Sequence, residues 1–166
     1  MTHLIALSAD LPLETVPSGE VVIAEGSPPD RMLILVSGAV VIERDGVAFA
    51  RIDAPGSVFG EMSVVLDRPA SATVRAAQDV ELRVVADPMT FFAERPGAAV
   101  AVLRMTAARL DGLTRYLVDV KQQFADAEGH LGLVDQILDR LVHHQGLTPR
   151  TGSARDPEGT HAQPHG

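Results

Sequence analysis

From residue 11 to residue 85 the chain is cut into short Val/Ile/Leu runs, each ended by a turn signal. Residues 21–24, 32–36, 39–43, 47–52, 72–75 and 80–84 read as strands. Val80-Glu81-Leu82-Arg83-Val84 alternates as a half-buried strand should. The turns are equally explicit: Gly26-Ser27-Pro28-Pro29-Asp30, Ser37-Gly38, Asp45-Gly46 and Ala54-Pro55-Gly56. Asp45-Gly46 between two β runs signals a tight hairpin, because both residues tolerate the positive φ such turns require. This cadence restricts the region to a roll, barrel or sandwich. The hydrophobic share is 46% but the aromatic share only 4%, so the core is built from β-branched and Leu side chains, without aromatic anchors.

At Asp87 the period becomes helical. Asp87-Pro88 supplies an N-cap and a Pro at the first helical position, predicting a short helix to about Arg95. Pro96-Gly97 interrupts it and a longer helix follows. In that helix Leu103, Leu110, Leu117 and Phe124 recur every seventh residue, with Leu113 and Val120 three residues after the second and third of them. The series continues through Leu131 and Leu138, partnered by Val134 and Leu141, so the register favours a continuous or merely kinked helix despite Gly129 and Gly132. Such a stripe either packs on the chain's own β region or forms an a/d seam, and its length favours a parallel homodimer through residues 98–144. The expected organisation is a β region over 1–86, a helical segment over 87–145 and a disordered polar tail over 146–166.

Several function classes recede on composition. The net charge of −8 argues against an autonomous surface for DNA phosphates. With no Cys, disulfides and thiolate chemistry are excluded. All six His (His3, His130, His143, His144, His161 and His165) lie outside the β region, against a metalloenzyme barrel with ligands on its strands. No Ser-His-Asp arrangement or catalytic carboxylate pair stands out, so no enzyme and no cofactor is expected. The apolar runs are too short to span a bilayer and Leu4–Leu7 lacks a basic flank, which implies a soluble, cytoplasmic chain without membrane contact.

The chemistry concentrates in residues 55–74, Pro55-Gly56-Ser57-Val58-Phe59-Gly60-Glu61-Met62-Ser63 and onward to Pro69-Ala70-Ser71-Ala72-Thr73-Val74. A Gly turn entering a short helix points backbone N–H groups at an anion, and an ionised Glu beside it is a pure acceptor suited to a sugar hydroxyl. Glu61 alone would read as a solvated turn residue, and Phe59 and Met62 as packing. The ordered series resembles the cyclic-nucleotide-binding domain family, whose cassette runs roughly Phe-Gly-Glu-x-x-x-Leu and then Pro-Arg-x-Ala-Thr-Val. The match falls on Phe59-Gly60-Glu61, Pro69 and Ala72-Thr73-Val74, with Gly19-Glu20, Gly26, Asp30 and Gly38 framing it upstream.

The resemblance implies a mostly β fold with C-terminal α: an antiparallel, jelly-roll-like β-roll, a short helix and a long dimerisation helix. It implies a ligand, cAMP or cGMP, held by Phe59, Gly60, Glu61, Met62, Ser63, Arg68, Ser71 and Ala72. Glu61 would take the ribose 2′-hydroxyl; the backbone around Gly60, Glu61 and Ser63 would take the phosphate. Ser71 and Ala72 would add donors, and Leu113, Thr114 or Tyr116 would meet the base. One position departs: the family's phosphate-pairing Arg follows the Pro directly, and here Ala70 stands there. Binding through Arg68, a changed ligand and an emptied pocket all stay open; Arg75 is placed past the pocket by its strand. Related activators continue into a winged helix-turn-helix, whereas the segment after Phe124 has no such pattern, so DNA binding by this chain itself is not expected. Two functions follow: a sensor coupling nucleotide binding to a dimer or a protein partner, or a ligand-independent scaffold on the same fold.

Overall fold

The computed structural model describes residues 2–123 together with 134, 136–139 and 141. A first helix, α1 (Thr2–Leu7), precedes β1 (Leu13–Val16), β2 (Val21–Ile23), β3 (Met32–Ser37), β4 (Val40–Arg44), β5 (Val47–Ile52) and β6 (Val58–Phe59). Then come α2 (Glu61–Leu66), β7 (Thr73–Ala76), β8 (Val80–Val85), α3 (Pro88–Glu94) and α4 (Pro96–Gln123). The strands form two four-stranded antiparallel sheets, in the orders β1-β8-β3-β6 and β2-β7-β4-β5. This is the mostly β roll with C-terminal helices that the sequence predicts.

The pleat of β3 explains why its sequence is a continuous apolar run. Leu33 and Leu35 join Val16, Val40, Phe59, Val74 and Leu82 in the core between the sheets. Met32 and Ile34 point the other way, beneath Leu4 of α1, Phe91 of α3 and Ala98 and Val102 of α4. A strand buried on both faces has no polar alternate positions. At the hairpin between β4 and β5, Asp45 and Gly46 both hold positive φ (51° and 77°), the two-residue turn expected from the sequence. Gly38 also needs its glycine: at φ +92°, an added Cβ would lie 2.3 Å from the Asp79 carbonyl oxygen.

All six strands read from the sequence form, most with ends displaced by about one residue. Three elements escape the pattern. β6 has two residues and owes its strand character to Leu33 and Ile34 across the ladder. β1 lies on a sheet edge and exposes Leu13. α1 is a six-residue helix that buries Leu4 deeply. The cap of α3 is as predicted, with the Thr90 N–H donating to Asp87 Oδ1 at 3.0 Å and Pro88 opening the helix.

The chain divides into one unit through Arg109 and another from Leu110 onward, and α4 contributes residues to both. Within the first unit, α4 turns Ala98, Ala101, Val102 and Met105 toward the sheet, while Leu103 is 67% exposed. Within the second, Leu110, Leu113 and Tyr116 are exposed and an Arg115–Asp111 pair at 2.8 Å lies along the helix surface. Phe124, Leu131, the Gly129–Gly132 stretch, His130, His143, His144, His161, His165 and the tail over 146–166 lie outside the described residues.

Candidate functional site

The cassette begins where β3 accepts the returning chain. The Gly56 N–H donates to the Leu35 carbonyl at 2.7 Å and the Leu35 N–H to the Ser57 carbonyl at 2.8 Å, which seats Val58 and Phe59 as β6. Gly60 then turns left-handed (φ 84°); an added Cβ would come within 2.7 Å of the Arg31 carbonyl oxygen. Only glycine meets both conditions. The turn starts α2 at Glu61, with no side chain capping the helix start. α2 ends at Asp67, also left-handed, and the Arg68 N–H donates back to the Ser63 carbonyl at 2.9 Å.

The return arm is fastened to the turn after β2. The Ala70 N–H donates to the Ser27 carbonyl and the Gly26 N–H to the Ala70 carbonyl, each at 2.8 Å. Thr73 Oγ1 accepts the Glu25 N–H at 3.1 Å. Between α2, this arm and the faces of β4 and β5 opens a cavity of about 390 Å³. That volume lies within the ~300–1,000 Å³ of small-molecule sites. Polar groups collect at the α2 end; Ile23, Ile42, Ile52 and Val74 make the rest apolar.

Seven of the eight residues named from the sequence line this cavity: Phe59, Gly60, Glu61, Met62, Ser63, Ser71 and Ala72. Phe59 does so from within the core, 4% exposed, whereas Met62 is half-exposed on α2 and is not a core residue. Arg68 is exposed and is not among the lining residues. Arg75 pairs with Glu43 at 3.3 Å and donates to the Gly19 carbonyl at 2.9 Å, also outside the lining. Ala70 is buried against the cavity, so the position vacated by the family's Arg does face the site. Leu113, Thr114 and Tyr116 belong to the second unit.

Glu61 is not a solvated turn residue. It is 4% exposed, and Arg109 of α4 donates to its Oε1 at 2.5 Å while also donating to the Val58 carbonyl at 3.2 Å. Burial pushes the Glu61 carboxyl above its ordinary pKa, against the opposing pull of the Arg109 guanidinium and of the Glu61 and Met62 backbone N–H groups. Arg109 is a cavity-lining residue that the motif conceals. Its signal is helical: it follows Val102 by seven residues and Met105 by four, extending the sheet-facing stripe of α4 rather than the leucine seam. Among the described residues no group of three or more acidic or His side chains is arranged to hold a metal ion.

The model of the cyclic nucleotide-binding domain matches residues 13–89, so this stretch of the chain carries that domain. It is 34% identical over 134 residues to a CRP-like cAMP-activated global transcriptional regulator of Mycobacterium tuberculosis, a match covering 76% of this chain and 58% of that protein. The chain thus spans less than two thirds of that regulator. A cAMP-dependent protein kinase regulatory subunit of Yarrowia lipolytica is 43% identical over 61 residues, 37% of this chain and 16% of that subunit. Among solved structures, the N-terminal domain of a transcriptional regulator from Streptomyces coelicolor aligns with TM-score 0.50 and 30% identity, covering 67% of this chain and 81% of that one. A protein from a cyclic-GMP-dependent pathway regulating bacterial phytopathogenesis shares the fold, with TM-score 0.57, 22% identity and coverages of 68% and 94%.

Proposed function

We propose that the chain is a non-catalytic cytoplasmic sensor that binds cAMP or cGMP in this cavity and passes the event to α4. The observation carrying this reading is Glu61, a buried carboxylate in the cavity wall whose partner is Arg109 on α4. A ribose hydroxyl reaching Glu61 competes with or reorders that pair, and so acts on the helix. The roll through about residue 86 is the ligand-binding part, and the segment from 87 is the responsive part. Serine, alanine and backbone groups of the arm at 70–72 complete the cradle. Isothermal titration with cAMP and cGMP tests the reading. Saturable heat and a ligand-dependent rise in Tm are expected, and neither appearing at millimolar nucleotide would sink it.

The output is a parallel homodimer along the α4 leucine seam. Its support is the row of exposed Leu103, Leu110 and Leu113, apolar positions at coiled-coil spacing that water does not favour. Replacing Leu110 and Leu117 together by Glu is expected to convert a dimer to a monomer in sedimentation equilibrium, with the β-roll's circular dichroism unchanged. A wild type that sediments as a monomer removes the dimer and leaves a protein partner as the recipient. Ala70 favours a second reading, in which the roll is a ligand-independent interaction module, and the same titration separates the two.

A further inference from the structure

β5 carries an irregularity that the cassette motif does not include. In its ladder with β4, Ile42 faces Ala50 and Glu43 faces Ala48, so Phe49 between them has no partner and forms a β-bulge. Along a regular strand Ala50 and Ile52 share a face and Phe49 takes the opposite one. Here all three line the cavity, because the extra residue turns the Phe49 ring to the same side. The ring is 63% exposed, whereas Phe59 and Phe91 are buried, at 4% and 5%. A large apolar ring left in water at the mouth of an apolar cavity is unfavourable in the empty protein, and it becomes favourable once a flat apolar surface covers it. Ala50, Ala70 and Ala72 line the same cavity with small side chains.

We propose that Phe49 is the stacking platform for the purine base of the bound nucleotide. This rests on the nucleotide reading above and adds to it the residue that holds the base. The polar end of the cavity, at α2, takes the ribose and phosphate, so the base extends along the apolar wall of β4 and β5 toward the bulge. Stacking on an aromatic ring suits any purine, since both have a π-face. Phe49 therefore contributes affinity for cAMP and cGMP alike, and discriminates both from the cyclic pyrimidine nucleotides, whose smaller rings cover less of it.

The test uses the full chain and three variants. Phe49→Ala is expected to weaken cAMP and cGMP by about five- to a hundredfold, and cUMP by clearly less, with Phe49→Leu between the two. Because the chain contains no Trp, Phe49→Trp carries a single indole. Its fluorescence is expected to be quenched by cAMP with the midpoint found calorimetrically. If the wild type binds cAMP and Phe49→Ala binds it equally well, or the indole is unmoved at saturation, the stacking role is overturned while the nucleotide reading stands. Loss of affinity equal for cAMP and cUMP overturns it too, as does a change of oligomeric state at unchanged affinity, which assigns the ring to an interface. A wild type that binds no nucleotide overturns both proposals.

Discussion

Glu61→Gln is expected to stabilise the free protein at pH above the raised folded pKa of Glu61, while weakening nucleotide binding by about five- to tenfold. The two effects have one origin. Glu61 is buried, and burial outweighs the attraction of Arg109 in setting its pKa, which lies above the ordinary value. A folded state that holds a proton more tightly than the unfolded chain is favoured by protonation. That contribution is fully present below the unfolded pKa and is lost as pH rises through the raised folded value. Above that raised value the wild type carries the cost of an ionised, desolvated carboxylate, and the isosteric amide removes it. The advantage of Glu61→Gln in Tm should therefore narrow as pH falls toward the ordinary carboxylate range. Arg109→Gln should do the reverse above the same value, because it strips the carboxylate of its counter-charge. The loss in binding follows from exchanging a charged acceptor for a neutral one, a difference of about 1 kcal/mol for one hydrogen bond. Thermal melts across pH with and without cAMP read both effects. A Glu61→Gln protein less stable than wild type above the raised value would show that the ion pair outweighs the burial.

Ala70→Arg is the second large effect. The residue is fixed at both its N–H and its carbonyl by the turn after β2, and its side chain faces the cavity. A guanidinium grown from this position enters the space where a phosphate would lie beside the α2 turn. A charge-assisted, bidentate phosphate contact contributes about 1.5–3 kcal/mol, so cAMP affinity is expected to rise by ten- to a hundredfold or more. Such a rise assigns any weakness of the native site to the missing cation. Unchanged affinity over measurable wild-type binding assigns the phosphate to another group, with Arg109 the cation already lining the cavity.

Most of the roll was legible from local rules. Turn residues at Gly38, Asp45-Gly46 and Gly56 mark where the chain reverses, and between them the apolar runs can only be strands. β6 was not legible, because two residues carry no period and their pairing with β3 is a long-range event. The cassette was legible as a motif because Gly60 and Glu61 are adjacent and their geometry is local. Seven of its eight residues do meet around one cavity, whereas Arg68, offered as a substitute cation, lies outside the lining. Arg109 was hidden because it is 48 residues from Glu61 and the leucine series of α4 is the louder pattern. Phe49 was hidden because a strict alternation assigns it to the wrong face, and a bulge is visible only in the pairing of two strands.

The order of strands and turns, the glycine-dependent turn at Gly60, the cap of α3 and the absence of the family's Arg at position 70 can be read from the residues in order. These depend on the conformational limits of single residues and on short-range periodicity, which a one-dimensional string expresses directly. That Glu61 is buried rather than solvated, that its partner comes from α4 and that Phe49 lines the cavity follow from the folded chain alone. Burial, ion pairing and strand register depend on what the rest of the chain brings alongside, and residues distant in sequence settle them.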